Sequence, residues 1–315
     1  WRIRLENSID GSGTPYRTLV CYKETHAGAK IDPSSEWTGT WRDTRFGAPA
    51  GGARAENSLT GSWFTVVEGT SGITVPAEYG RMRLWRHTSI ADLQPGQTAT
   101  LPHGTLGYEW NSDPDNGLRP AGLIHLSSTT VSNVVVLQDE GHNYDYGTAT
   151  HALTLYRHSS GALVFGAGTI QWSWGLDEHH DRAGTPADVR MQQATVNVLA
   201  DMGVQPAALQ PGLVQTTAST DTVAPTSTIT SPTVGAEVQQ NSLVTITGTA
   251  ADTGGGVVAG VEVSVDGGAT WKRAEGRENW TFSWTPSTVG QTTILSRAID
   301  DSGNIGTPGA GEGLR

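Results

Sequence analysis

Ala162-Leu163-Val164-Phe165-Gly166-Ala167-Gly168 is a continuous apolar run ending in glycines, and Thr185-Pro186-Ala187-Asp188 follows it after a polar stretch. An apolar run without alternation fits a strand buried on both faces, as in a parallel sheet. The second stretch supplies an N-cap at Thr185, proline at the first helical position and an acid at the third. Met191, Ala194, Val198, Leu199 and Met202 then recur at helical spacing, and Gly203 offers a left-handed stop. Strand, glycine turn and helix predict one β–α unit of an open α/β sheet, a fold whose ligands sit beyond the carboxyl ends of the strands. A buried strand of this kind needs neighbours on both sides, and the chain offers few. The expectation is that the sheet is completed by a segment upstream of Trp1 or by another chain.

Outward from this unit the chain reads as strands. Trp1-Arg2-Ile3-Arg4-Leu5 alternates as though already inside a sheet. Arg17-Thr18-Leu19-Val20-Cys21-Tyr22, Gly61-Ser62-Trp63-Phe64-Thr65-Val66-Val67, Gly122-Leu123-Ile124-His125-Leu126 and Thr150-His151-Ala152-Leu153-Thr154-Leu155-Tyr156-Arg157 are further strand candidates. Residues 216–225, small, polar and ending in Pro225, have the composition of an exposed linker. Beyond them Val244-Thr245-Ile246-Thr247-Gly248, Gly260-Val261-Glu262-Val263-Ser264-Val265, Trp280-Thr281-Phe282-Ser283-Trp284 and Ile294-Leu295-Ser296-Arg297-Ala298-Ile299 are short strands separated by turn signals such as Asp266-Gly267-Gly268. That pattern predicts an immunoglobulin-like β-sandwich. Its core candidates are Val263, Val265, Trp280, Phe282, Trp284, Ile294 and Ile299. The expected division is a first domain over 1–218, a linker over 219–224, the sandwich over 225–308 and a disordered tail over 309–315.

Composition narrows the functions. The 315 residues carry 20 Lys and Arg against 31 Asp and Glu, a net charge of −11, which argues against nucleic acid and anionic membranes as partners. No apolar run approaches the roughly 18 residues of a membrane-spanning helix. The single cysteine, Cys21, allows no intrachain disulfide and no cysteine-based metal centre, and within a strand it is a poor nucleophile. Neither a Gly-x-Ser-x-Gly elbow nor a Gly-x-x-x-x-Gly-Lys phosphate loop occurs.

Several stretches together carry a resemblance. They are Trp1-Arg2-Ile3-Arg4-Leu5-Glu6, Tyr22-Lys23-Glu24, Glu36-Trp37-Thr38-Gly39-Thr40-Trp41-Arg42-Asp43, Leu106-Gly107-Tyr108-Glu109-Trp110, residues 150–157 and Val164-Phe165-Gly166-Ala167-Gly168-Thr169-Ile170-Gln171-Trp172-Ser173-Trp174-Gly175-Leu176. In this order they resemble the C-terminal part of the N,N-dimethylformamidase large (beta) subunit family and its secreted actinobacterial relatives, in which an Ig-like module often follows. The resemblance covers about residues 1–210. It implies a glutamine-amidotransferase-like α/β core with a β-rich insertion, an extracellular location, and hydrolysis of a small amide at a mononuclear iron. It also implies that the iron ligands, in a His-x-Glu-Tyr-Trp stretch, lie upstream of Trp1, so that no cofactor and no activity are expected of these 315 residues alone. Val261-Glu262-Val263-Ser264-Val265-Asp266-Gly267-Gly268-Ala269-Thr270-Trp271 resembles a stretch of bacterial Ig-like and sulfite-oxidase dimerisation modules.

Candidate chemistry lies at few positions. Glu109, between Tyr108 and Trp110, is the candidate general base, since aromatic surroundings favour an uncharged carboxyl. The bland reading is a half-buried strand carboxylate. Lys23, after the strand ending at Tyr22, is the candidate for stabilising an oxyanion, against a plain ion pair with Glu24 or Glu6. Asp177-Glu178-His179-His180-Asp181 and His142 hold metal-capable side chains, with Asp177, His180 and His142 the candidates, although a solvated polar loop or turn is the default reading of both segments. Asp300-Asp301-Ser302-Gly303-Asn304 offers oxygen ligands that suit calcium, its default reading being a turn. Trp37, Trp41, Trp63, Trp85, Trp110, Trp172 and Trp174 are core candidates or a sugar platform, with Trp172 and Trp174 sharing a strand face. The competing function is a non-catalytic extracellular or cell-surface binding or assembly module with an Ig-like spacer.

Overall fold

A computed structural model describes residues 2–5, 19–22, 42–44, 55–182, 184–309 and 312–314. Every strand pairing among the described residues is antiparallel. β1 (Arg2–Leu5) pairs with β2 (Leu19–Tyr22), placing Cys21 in a strand as expected, opposite Ile3. β3 (Trp63–Glu68) lies between β6 (Trp110–Ser112) and β8 (Thr129–Gln138), and β9 (Asn143–His151) closes this sheet. β4 (Thr74–Pro76) and β5 (Thr98–Thr100) form a small ribbon.

The run at 162–168 folds differently from its reading. β11 (Leu163–Gly166) is an edge strand, half-buried, and pairs antiparallel with β10 (Thr154–Arg157), which pairs in turn with β7 (Ile124–His125). An edge strand can be continuously apolar when its faces are covered by neighbouring elements rather than by a parallel sheet. Phe165 packs edge-to-face on Trp172, and Leu163, Phe165 and Ala167 join the main core. Among the described residues β11 therefore has no parallel neighbour. Residues 150–157, read as one strand, break at Ala152-Leu153, where the chain passes from one sheet to the other.

The helix forms at Val189–Asp201, later than its sequence signal, because Asp188 rather than Thr185 caps it, accepting from the backbone N–H of Arg190 at 2.8 Å. Met191, Ala194 and Val198 are buried as expected. Leu199 and Met202 face solvent, since the last turn points away from the core. Gly203 sits at φ 81°, a left-handed stop.

The C-terminal module is a sandwich of two four-stranded sheets. One is β12 (Thr226–Ser231), β13 (Val244–Ala251), β17 (Asn279–Trp284) and β16 (Glu275–Gly276). The other is β15 (Lys272–Arg273), β14 (Val258–Ser264), β18 (Thr292–Asp300) and β19 (Glu312–Leu314). Val263, Trp280 and Ile294 fill its core, with Val265, Phe282 and Trp284 packed at the margin. The tail, expected to be disordered, contributes β19, which pairs along β18 from Thr292 to Ile294.

The two halves share a core. Ile299 and Ala259 belong to the first domain's apolar cluster, with Ile305 and Val257 packed against it. Polar contacts reinforce this junction. Buried Glu262 accepts from the N–H of Gly122 at 3.0 Å and pairs with Arg297, while Arg119 stands 3.7 Å away. Arg81 pairs with Glu278, Arg277 lies 4.4 Å over the ring of Tyr79, and Arg157 donates to the Ser302 carbonyl at 2.8 Å. The linker is tied down as well. Thr216 accepts from Arg86, Ser219 bonds Ser302, and the Asp221 carbonyl accepts from Asn304.

Candidate functional site

Stretches far apart in sequence meet beside β6. The chain just before β6 runs along the segment that follows β11. Trp110 bridges Thr169, the Asn111 N–H donates to the Gly168 carbonyl at 2.8 Å, the Ile170 N–H donates to the Glu109 carbonyl at 3.4 Å, and the Gly107 N–H donates to Thr169 Oγ1 at 2.9 Å. A side chain at 107 would sit 2.7 Å from the Gln171 amide, so the close approach requires glycine. Trp110 is buried and donates its indole N–H to the Gly69 carbonyl. His151, from the third stretch, meets Trp110 edge-on, with ring centroids 6.1 Å apart.

His151 is 0 % exposed, and burial lowers its pKa to about 4, so the ring is neutral at pH 7. Its Nε2–H donates to the Ala167 carbonyl at 2.9 Å, and its buried Nδ1 has no partner. Glu109 lies in a bend immediately before β6 rather than within a strand, and is half-buried. Tyr108 beside it carries the Arg182 guanidinium 4.3 Å above its ring. The backbone of Glu109 is thus held on both sides by ordered structure.

A second cluster lies on the same four-stranded sheet. Buried Arg42 donates to the Phe64 carbonyl of β3 at 2.8 Å, stacks 4.1 Å over Trp63, and stands 3.7 Å from both Glu56 and Glu140. Asp43, fully buried, meets His142 Nε2 at 2.7 Å at the β8–β9 hairpin end. The sequence reading set His142 among possible metal ligands, and its described partner is this carboxylate. Arg42 and Asp43 received no role from sequence, although both stand in one of the resembling stretches.

The other candidates scatter. Lys23 lies outside the described residues, as do Trp37 and Trp41. Asp177 pairs with exposed His179 at 2.8 Å. His180 stacks on Trp174 at 4.4 Å and turns Nδ1 to the Asp181 carbonyl and Nε2 to the Thr185 carbonyl. These carbonyls raise its pKa, that of Asp181 most. Asp177, His180 and His142 form no common group, so the iron implied by the resemblance does not fit these described side chains. Trp85 and Trp110 are core residues, and Trp172 and Trp174 lie in a 3-10 turn (Trp172–Gly175) rather than on a strand face. Among the described residues one group of three potential ligands does converge, Asp221, Asp252 and Asp300, at the junction with the sandwich. Sequence singled out only Asp300 of these, because Asp221 and Asp252 reach it solely through loop folding.

Comparisons with known proteins agree with the two-part architecture. Residues 1–185 match the family described as N,N-dimethylformamidase beta subunit-like, C-terminal, and residues 225–295 match the bacterial Ig domain family. Mouse mitochondrial sulfite oxidase is 39% identical over 92 residues, covering 25% of this chain and 17% of that protein, so the chain matches only a small part of that relative. A fibronectin(III)-like module of Clostridium thermocellum CbhA matches at 20% identity over 28% of this chain and 92% of that one, with a TM-score of 0.24, too slight a likeness to argue from. No helix among the described residues is long and apolar enough to cross a membrane.

Proposed function

The chain belongs to the N,N-dimethylformamidase beta subunit-like, C-terminal family, and from that premise we propose that it is the carboxyl-terminal part of a secreted amidohydrolase acting on a small amide. The observation that carries the reading is the family match over residues 1–185, whose stretches at 106–110, 150–157 and 164–176 pack against one another next to Glu109 in the chain.

Amide hydrolysis adds water across a C–N bond. The attacking water must lose a proton, and the departing amine must gain one. Glu109 is assigned both transfers, first accepting the proton and then returning it to the amine nitrogen. Lys23 supplies positive charge to the oxyanion that forms between these steps. The resemblance implies an iron, which would polarise the amide carbonyl when bound. The chain contains no His-x-Glu-Tyr-Trp stretch, and the described His and Asp candidates do not fit the metal, so no step is drawn through it. The glutamine-amidotransferase-like α/β core belongs to the same proposal. The segment completing it comes from the same protein or from another chain.

The test uses the natural polypeptide that carries these residues. Amine release from formamide-type substrates should fall by about 10²–10⁴-fold in Glu109→Gln, which keeps the side chain's shape and removes the base. An unchanged rate removes Glu109 from the mechanism. Absence of any amide turnover in the natural polypeptide favours the non-catalytic surface or binding module instead. Turnover by the 315 residues alone would overturn the placement of the metal ligands outside them.

A further inference from the structure

Four aspartates meet where the linker enters the sandwich. Asp221 comes from the linker, Asp252 from the connection after β13, and Asp300 and Asp301 from the end of β18. One oxygen each from Asp221, Asp252 and Asp300 lies within 4.8 Å of the others. Acidic clusters are common, and this one alone would mean little. Two further observations separate it from an ordinary turn.

First, two of its oxygens are unused. Asp221 Oδ1 accepts from the Val223 N–H at 2.9 Å and Asp252 Oδ1 from the Gly254 N–H at 3.0 Å. The second oxygen of each, Oδ2, is buried from solvent and accepts nothing. A buried, unpartnered carboxylate oxygen is costly and calls for a partner. Asp300, 0 % exposed, is held rigid by the N–H groups of Ser302 and Asn304 and by the Asn304 amide.

Second, the two unused oxygens face one point, where Asp301 Oδ1, which accepts from the Val257 N–H at 3.3 Å, joins them. A methyl carbon placed on Gly256 would lie 2.8 Å from Asp221 Oδ2, 2.9 Å from Asp252 Oδ2 and 2.9 Å from Asp301 Oδ1. Glycine at 256 therefore keeps a space ringed by carboxylate oxygens from three separate segments. Among the described residues no cation fills this role. The Arg83 guanidinium, whose charge reaches Asp221 and Asp301, is already bidentate with Asp201.

We propose that Asp221, Asp252 and Asp300, with Asp301 Oδ1 facing the same space, bind one calcium ion that fastens the linker to the Ig-like module. All donors are hard oxygens, which selects against zinc, copper and iron. Calcium binds oxygens at 2.3–2.6 Å in a flexible shell of six to eight ligands, and oxygens up to 4.8 Å apart can share such a centre. Magnesium, at 2.0–2.1 Å with strict octahedral demands and a reluctance to shed its waters, is less suited to carboxylates fixed on three separate segments. Because Asp301 Oδ2 accepts from the Arg83 N–H at 2.7 Å, the ion would also stiffen the contact to the first domain. This inference does not depend on the amidase reading.

The test uses the 315-residue chain, stripped with EDTA, and titrates calcium chloride and magnesium chloride by calorimetry and thermal melting. One equivalent of calcium should bind saturably, raise the melting temperature by several degrees and slow proteolytic cutting within residues 211–224. Asp252→Asn should lose the calcium response. It should also melt higher than wild type in EDTA, because it relieves repulsion among the carboxylates, an outcome that a purely structural aspartate would not give. Gly256→Ala keeps every carboxylate and fills the space, so it too should lose the response. No saturable calcium uptake, undiminished uptake in both variants, or equal affinity for magnesium would each overturn the proposal.

Discussion

His151 should make this protein acid-sensitive. In the fold its ring is neutral, with Nε2–H on the Ala167 carbonyl, and protonation would place an Nδ1–H with no acceptor beside Trp110 in a dry core. Burial lowers its pKa from 6.5 to about 4. Folding therefore disfavours the charged form, so the stabilisation is full above the unfolded value of 6.5 and is lost as pH falls toward 4. At 1.36 kcal/mol per pKa unit the gap amounts to about 3 kcal/mol, approached at about 1.4 kcal/mol per pH unit between those values. Urea denaturation at about pH 7, 6, 5 and 4 reads this directly through the slope of stability against pH. Carboxylates also contribute over this range, and His151→Gln separates them, since it retains a donor for Ala167 and cannot charge. The variant should lose about one proton's worth of slope between pH 6.5 and 4 while keeping the rest. Identical slopes in wild type and His151→Gln would refute the argument.

Other expectations follow from the same contacts. His125, 2.7 Å from Asp113, is also lowered to about 4 by burial, so the His151→Gln variant should keep a second acid-sensitive step, removed when His125→Gln is added to it. Glu262→Ala leaves Arg297 and the Gly122 N–H without their buried partner, and should cost about 3–5 kcal/mol and loosen the domain junction, read by urea melts and limited proteolysis. Residues 225–308 should fold alone by circular dichroism, and 225–315 should be more stable because it adds β19, whereas an unfolded 225–315 would show that the shared core at Ile299 and Ala259 is indispensable. In the natural polypeptide, Lys23→Ala combined with Glu109→Gln should lower amide turnover by less than the product of the single losses if both serve one transition state.

Local order in this chain was legible wherever neighbours in sequence decide it. Alternation in Gly260-Val261-Glu262-Val263-Ser264-Val265 and the Asp-Gly-Gly turn after it specify β14 and its exit, because strand pleat and turn dihedrals are set residue by residue. The helical spacing of Met191, Ala194 and Val198 likewise fixes which face is buried. The family stretches, Glu109 among them, were also visible as a linear series. Tertiary structure decided what those stretches do to one another. An apolar strand at Leu163–Gly166 carries the same side chains whether its partner is parallel or antiparallel, and only the course of the chain through β10 made it an antiparallel edge. Ile299 reads as sandwich core but packs into the first domain, because a strand has two faces and the sequence does not say what covers the second. Asp221 and Asp252 are ordinary loop acids until folding sets their buried Oδ2 atoms around Gly256 beside Asp300, since electrostatic convergence is a property of positions in space and not of order along a chain.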